Sequence, residues 1–336
     1  MLCSGCAVAL NSVHVQHSDQ LRVEWSDLQR ASGNEENDGV SGFELPRNLV
    51  RDVDDDADGV SARRPWLASL PGVVDDLARR WSLTLGAPFQ PGGSASWVAP
   101  AQDAAGERLV LKVGRWHEEA AHEAEGLRAW DGGGTVRLID AVSEGQSSAL
   151  LLEACEPGTA LSQVLPPLEQ DAVVAALLRR LWITPTAGHP FRTLQSMCEQ
   201  WADEFEHKFA SADAHLKLDV GIARAGIELF RYLPSTSARA VLLCTDLHPD
   251  NVLMARREPW LVIDPKPYLG DPTYDPLQHM LNHTERLRAD PVGFAQRMAD
   301  LLDLDAARLR KWLFARSVQE SLNDPHLHAV AHDLAP

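Results

Sequence analysis

The sequence predicts an α+β protein in two lobes, a small N-terminal lobe built on an antiparallel sheet and a larger, mainly helical C-terminal lobe. Three observations predict it. Short apolar runs bounded by turn residues, at 108–113, 135–142 and 149–152, read as strands of one small sheet. From Leu161 onward apolar residues recur mostly at spacings of three and four, the period of helices. Between those helical stretches, 242–275 holds two further short strands joined by a turn rich in Asp, Asn and Pro. The expected division is a polar, aperiodic and disordered leader over 1–42, an N-terminal helix and sheet lobe over 43–153, and a helical lobe over 154–336.

Within the leader, Cys3 and Cys6 precede His14 and His17, but both the gap and the histidine spacing are too short for a zinc finger. The acidic run Asp52–Asp58 reads as a solvated linker. Trp66, Leu67, Leu70, Val74, Leu77, Ala78 and Trp81 then mark one apolar helical face, with Pro71 as a candidate first-turn residue. Next, Gly92, Gly93 and Ser94 form a small-residue turn entering a strand, where backbone N–H groups can approach phosphate oxygens. A plain hairpin turn has the same composition. Lys112 stands near the end of the strand 108–113, as an edge charge that discourages strand aggregation or as a phosphate-holding lysine. A helix is expected from His117 to Trp130, carrying Glu118, Glu119, Glu123 and Glu125. Linker chemistry follows Glu153, through Cys155 to Gly158.

In the helical lobe, Val173–Trp182, Leu194–Phe205 and Ile222–Leu233 carry apolar stripes, in which Met197 and Cys198 are core fillers. Further helices are expected near 276–283, 292–302 and 306–322. His189, His207 and His215 show no metal-ligand spacing.

The chemistry concentrates in 242–275. The run Ala240–Leu243 delivers Asp246, His248, Asp250 and Asn251, and a second run, Trp260–Ile263, ends at Asp264. An Asp, an Asn five positions on, and another Asp after the next strand is the order kinases use. There the first carboxylate takes the proton of the attacking hydroxyl, and the Asn and second Asp hold magnesium.

With Leu247-His248-Pro249 inside that turn and Ile263-Asp264-Pro265-Lys266, Gly270-Asp271-Pro272 and Tyr274-Asp275 after it, the chain resembles the aminoglycoside phosphotransferases. Within that family it looks most like the streptomycin 6-kinase and hydroxyurea phosphotransferase branch. The resemblance implies a protein-kinase-like fold, ATP and Mg2+ as cofactors, and phosphorylation of a small-molecule hydroxyl. It makes Asp246 the catalytic base, Asn251 and Asp264 the metal ligands, Lys112 the phosphate-binding lysine and Glu123 its partner, with Glu119 in reserve. Gly92, Gly93 and Ser94 would cover phosphate, and the backbone at Glu153 and Cys155 would form the adenine-binding hinge. Lys266 is implied in binding phosphate or acceptor, and a surface lysine is the alternative. Asp275, Asp203 and Glu320 are possible lining of the acceptor pocket. Two departures stand out. Cys244-Thr245 replaces the usual His-Gly, and Asp250 replaces a glycine whose backbone is expected at positive φ. The likeness starts near Phe43, which leaves two readings of what precedes it, a disordered leader or a start of translation further downstream than Met1.

A net charge of −17 argues against nucleic acid as partner. Five cysteines, odd in number and scattered, make no disulfide framework, and with no apolar run of membrane-spanning length the expected location is the cytoplasm, as a monomer or weak dimer. Rival readings are a kinase of an endogenous amino alcohol or sugar, a non-catalytic pseudokinase, and a metal-dependent hydrolase using Asp246, His248 and Asp250.

Overall fold

The computed structural model describes residues 43–51, 63–211 and 218–336. Cys3, Cys6, His14 and His17, the acidic run Asp52–Asp58 and His215 lie outside the described residues. The chain folds as two compact units, and the first takes back a short segment from within the second. Described residues 43–51, 63–159 and 253–263 belong to the first unit; 160–211, 218–252 and 264–336 belong to the second.

The first unit is built on five strands, β1 (Thr84–Leu85), β2 (Ser96–Gln102), β3 (Arg108–Arg115), β4 (Leu138–Glu144) and β5 (Ser147–Glu153), in the order β1-β2-β3-β5-β4 with every neighbour antiparallel. Strand β4 starts at Leu138 rather than Thr135. The residues before it are drawn elsewhere: Thr135 bridges Val262, and the Val136 N–H donates to the Val262 carbonyl at 3.0 Å.

Alternation along β3 sorts the two faces. Leu109, Leu111 and Val113 point to a core closed by α1 (Arg47–Arg51) and α2 (Arg63–Arg80), through Leu49, Trp66, Leu70, Val74 and Leu77. Burying Val74 or Leu77 contributes about 1.5–3 kcal/mol each. Pro71 lies inside α2, not in its first turn. The helix begins earlier because its apolar stripe begins at Trp66. Burial of that stripe outweighs the roughly 3 kcal/mol a mid-helix proline costs. On the opposite face, Val110, Leu150 and Leu152 pack under Leu127 of α3 (Glu123–Trp130) and under Leu261.

Helix α3 begins only at Glu123, after a single 3-10 turn over Glu118–Ala120 and a non-helical His122 (φ −118°, ψ 17°). The expected stripe from 117 starts with Ala120 and Ala124, which offer little apolar area to hold a nucleating turn.

The second unit is mainly helical. Helices Pro167–Leu181, Leu194–Ser211, Val220–Tyr232, Pro291–Leu302 and Ala306–Glu320 bury Leu178, Leu181, Met197, Cys198, Phe230 and Trp312. Gly226 permits a close approach between helices: a Cβ there would lie 2.4 Å from Val318. Asp219, Asp290 and Asp305 cap three of its helices. Strand Val241–Leu243 pairs antiparallel with Tyr268–Gly270, and the loops leaving that small ladder carry the chemistry. Among the described residues, no helix is long and apolar enough to cross a membrane.

Candidate active site

In the first unit the same alternation that buries Leu111 and Val113 turns Lys112 to the α3 face, beside its cross-strand neighbours Val98 and Leu150. There the Lys112 ammonium donates to both oxygens of Glu123, at 2.8 and 2.7 Å. The two side chains are only 13% and 7% exposed, so each charge depends on the other for solvation. Glu123 opens α3, where the helix dipole favours a carboxylate. The side chain of Glu119 lies outside what is described.

Gly92 has φ +73°, and a Cβ on it would meet the Pro46 Cβ at 2.5 Å. Asn48 donates to the Gly92 carbonyl at 2.8 Å, and Arg63 donates to the Ser94 carbonyl. This turn is therefore tied to α1 and α2 through its carbonyls. Around Gly93 a Cβ would meet nothing within 4 Å.

At the end of β5, the Glu153 N–H donates to the Arg137 carbonyl at 2.9 Å, and its carboxylate accepts from Arg257 Nε and Nη2, both at 2.9 Å. Burial pushes the Glu153 carboxyl up, but the Arg257 bonds and the Arg137 N–H outweigh it and hold it below its ordinary value. Arg257 also donates to the carbonyls of Gly132 and Thr135, at 2.7 and 2.8 Å, and so binds segment 253–263 to the sheet. Nothing in the pattern Arg256-Arg257-Glu258 distinguishes that residue from a loop charge. Cys155 is partly covered, and burial pushes its thiol up to about 12, so it is an inert side chain on a backbone position of interest.

The second unit brings Asp246, Asn251 and the Asp264 segment together. Asn251 Nδ2 donates to the Asp246 carbonyl at 3.0 Å, so one turn sets both residues. The Lys266 N–H donates to the Cys244 carbonyl at 2.9 Å, and the Thr245 hydroxyl donates to the Lys266 carbonyl at 2.6 Å. These bonds pin the two loops side by side. Asp264 stands two residues before Lys266, within about 7 Å of chain. Lys266 Nζ reaches Asp246 Oδ2 at 2.9 Å.

Positive φ falls on Thr245 (+47°) and Asp264 (+52°), not on Asp250, which sits in a 3-10 turn. The glycine missing from the family pattern thus matters at Thr245, whose conformation is secured by its hydroxyl bond and by Asp275. The Asp275 carboxylate accepts from the N–H groups of Cys244 (3.1 Å) and Thr245 (2.7 Å) and from Trp182 Nε1 (2.9 Å). It is 1% exposed, and burial pushes its pKa up to about 6. Asp275 is therefore a support of the loop rather than lining of a pocket. Of the other suggested lining residues, Asp203 pairs with Arg231 and Glu320 with buried Arg316 at 2.6 Å. Asp250 is exposed and accepts from the Ser162 hydroxyl.

Among the described residues, one group has metal-ligand proximity: Asp171, His279 and His283. Asp171 is already bound by Arg286 through both oxygens (2.9 Å each), by Arg297 at 2.7 Å and by His279 at 2.8 Å. Two guanidinium groups on one carboxylate leave no negative charge for a cation. Burial pushes His283 down to about 4, helped by His279 and Arg286. The cluster reads as a neutral-histidine support under the helices.

Residues 80–323 match the family profile described as "Aminoglycoside/hydroxyurea antibiotic resistance kinase". The chain belongs to this family. Streptomycin 6-kinase of Streptomyces glaucescens is 35% identical over 280 residues, which cover 80% of this chain and 88% of that protein. Hydroxyurea phosphotransferase of Kitasatospora aureofaciens is 35% identical over 274 residues, covering 79% and 76%. Choline kinase LicA from Streptococcus pneumoniae has a TM-score of 0.53 at 13% identity, covering 78% of this chain and 91% of that one, a likeness of fold alone. This member of the antibiotic resistance kinases has the protein-kinase-like fold and is a phosphotransferase acting on a hydroxyl group.

Proposed function

We propose that the chain transfers the γ-phosphoryl group of ATP to a hydroxyl of a small antibiotic-like molecule, an aminoglycoside such as streptomycin or the N-hydroxyl of hydroxyurea. The observation that carries this reading is the loop geometry. Asn251 is locked to the Asp246 carbonyl, and the Asp264 segment is pinned beside the same turn. Asp246 accepts the hydroxyl proton as the acceptor oxygen attacks phosphorus. Lys112, steadied by Glu123, binds the α- and β-phosphates, and the turn at Gly92, Gly93 and Ser94 covers phosphate. The backbone near Glu153 and Cys155 receives adenine. Magnesium suits the donor set: with Asn251 Nδ2 engaged by the Asp246 carbonyl, the Asn251 amide oxygen would remain to ligate the ion, and Asp264 would add a carboxylate. When bound, Mg2+ neutralises charge on the phosphates.

The cytoplasm, where ATP is supplied, is the proposed location, with the chain acting as a monomer or weak dimer. Phosphate transfer from labelled ATP across aminoglycosides, hydroxyurea, amino alcohols and sugars tests the acceptor. Transfer only to the amino alcohols or sugars overturns it in favour of an endogenous substrate. Asp246→Asn is expected to lower turnover about 10²–10⁴-fold while ATP binding, followed by calorimetry, is retained. Wild-type turnover in that variant would defeat the assignment of the base.

A further inference from the structure

We propose that Lys266 is a second cationic contact to the transferred phosphoryl group, bridging it to the base. This rests on the reading of Asp246 as proton acceptor. The Lys266 backbone is held at both ends, its N–H by the Cys244 carbonyl and its carbonyl by the Thr245 hydroxyl. Its stem is thereby registered to the loop that carries Asp246, and its ammonium lies 2.9 Å from Asp246 Oδ2. The pair is only partly covered, with 26% of Lys266 and 13% of Asp246 exposed. At that exposure an ion pair adds little to stability, so the fold alone gives weak reason for it.

Its position relative to the reaction is more telling. An attacking hydroxyl must lie about 2.6–3.2 Å from the Asp246 carboxylate to give up its proton. In the same pose its oxygen stands about 3–3.5 Å from phosphorus. A donor on that same carboxylate comes within hydrogen-bond reach of the non-bridging phosphoryl oxygens when it stands on the side the acceptor approaches. An ammonium has three N–H donors, so it can hold Asp246 and reach phosphate together.

In the step, the acceptor oxygen forms a bond to phosphorus as the bond from phosphorus to the β-phosphate oxygen breaks. That electron pair leaves with ADP, and the acceptor proton passes to Asp246. Lys266 keeps one carboxylate oxygen turned to itself and the other toward the acceptor. Its charge meets the negative charge that moves across the equatorial oxygens.

The test compares Lys266→Met, Lys266→Gln and Lys266→Arg with the wild type, using ATP and the acceptor identified by the panel. Lys266→Met is expected to lower kcat about 10²–10³-fold while both KM values stay within about threefold, because the contact matters mainly in the transition state. Lys266→Arg should recover a substantial part of kcat. The denaturation midpoint should stay close to wild type in all three. Lys266→Gln serves the same comparison if the Met variant does not fold. A kcat within about fivefold of wild type in the neutral variants would overturn the inference, as would a loss confined to acceptor KM. Asp246→Asn, assayed alongside, separates the two claims. An inactive Asp246→Asn with an active Lys266→Met removes only the lysine's role, whereas an active Asp246→Asn removes the base.

Discussion

Replacing Asp275 strains the site at the point that holds its loop. In Asp275→Ala, the N–H groups of Cys244 and Thr245 and the Trp182 indole lose their acceptor together. Each buried donor left without a partner costs about 1–3 kcal/mol, so a total loss of about 3–5 kcal/mol is expected after partial relaxation. The same change frees Thr245 from its positive φ, and turnover should fall with stability. Asp275→Asn isolates the charge. Burial raises the Asp275 carboxyl from 3.8 to about 6, so the folded protein holds this proton more tightly than the unfolded chain does. The stability this adds is complete below about pH 4 and is lost as pH rises through about 6, an amplitude of about 3 kcal/mol. Urea unfolding at pH 4.5, 5.5 and 7 measures it. The wild-type advantage over Asp275→Asn should shrink as pH rises. Histidines 279 and 283, depressed by burial, act in the opposite sense but are common to both proteins and cancel in the difference. A pH-independent difference, or Asp275→Ala within about 0.5 kcal/mol of wild type, would refute the reasoning.

Two further outcomes test the first unit. Glu123→Gln removes the anionic partner of Lys112, and the KM for ATP should rise about 10–100-fold in steady-state assays, since a charge-assisted pair is replaced by a neutral one. An unchanged KM and kcat would separate this ion pair from nucleotide binding. Gly92→Ala should cost about 1–3 kcal/mol by thermal unfolding, because its Cβ meets Pro46 at positive φ. Gly93→Ala, with open space around it, should leave stability unchanged and raise only the KM for ATP; equal behaviour of the two variants would count against a phosphate-covering turn.

Local spacing made much of this protein legible. The strand around Lys112, the helical stripes, and the order Asp246, Asn251, Asp264 are all periodic or short-range patterns, and a period of two is enough to place Lys112 on the face away from Leu111. What the pattern could not rank were residues whose meaning depends on partners far along the chain. Arg257 meets Glu153, Asp275 meets the Thr245 N–H, and Asp171 gathers Arg286, Arg297 and His279. In sequence Arg257 and Asp171 carry no signal at all, and Asp275 reads as lining of the acceptor pocket rather than as a support of the loop. Likewise Pro71 and the start of α3 were settled by how much apolar area their helices bury, a quantity local propensity does not contain.

By itself, then, the sequence determined the family, the two kinds of secondary structure and the residue types available for phosphate transfer, because those are written in motif and period. Only the tertiary structure decided which carboxylates support the loop, which glycine faces a wall, and that Lys266 rests on Asp246. Those depend on where separated backbone segments are pinned together, and a one-dimensional pattern carries no such distances.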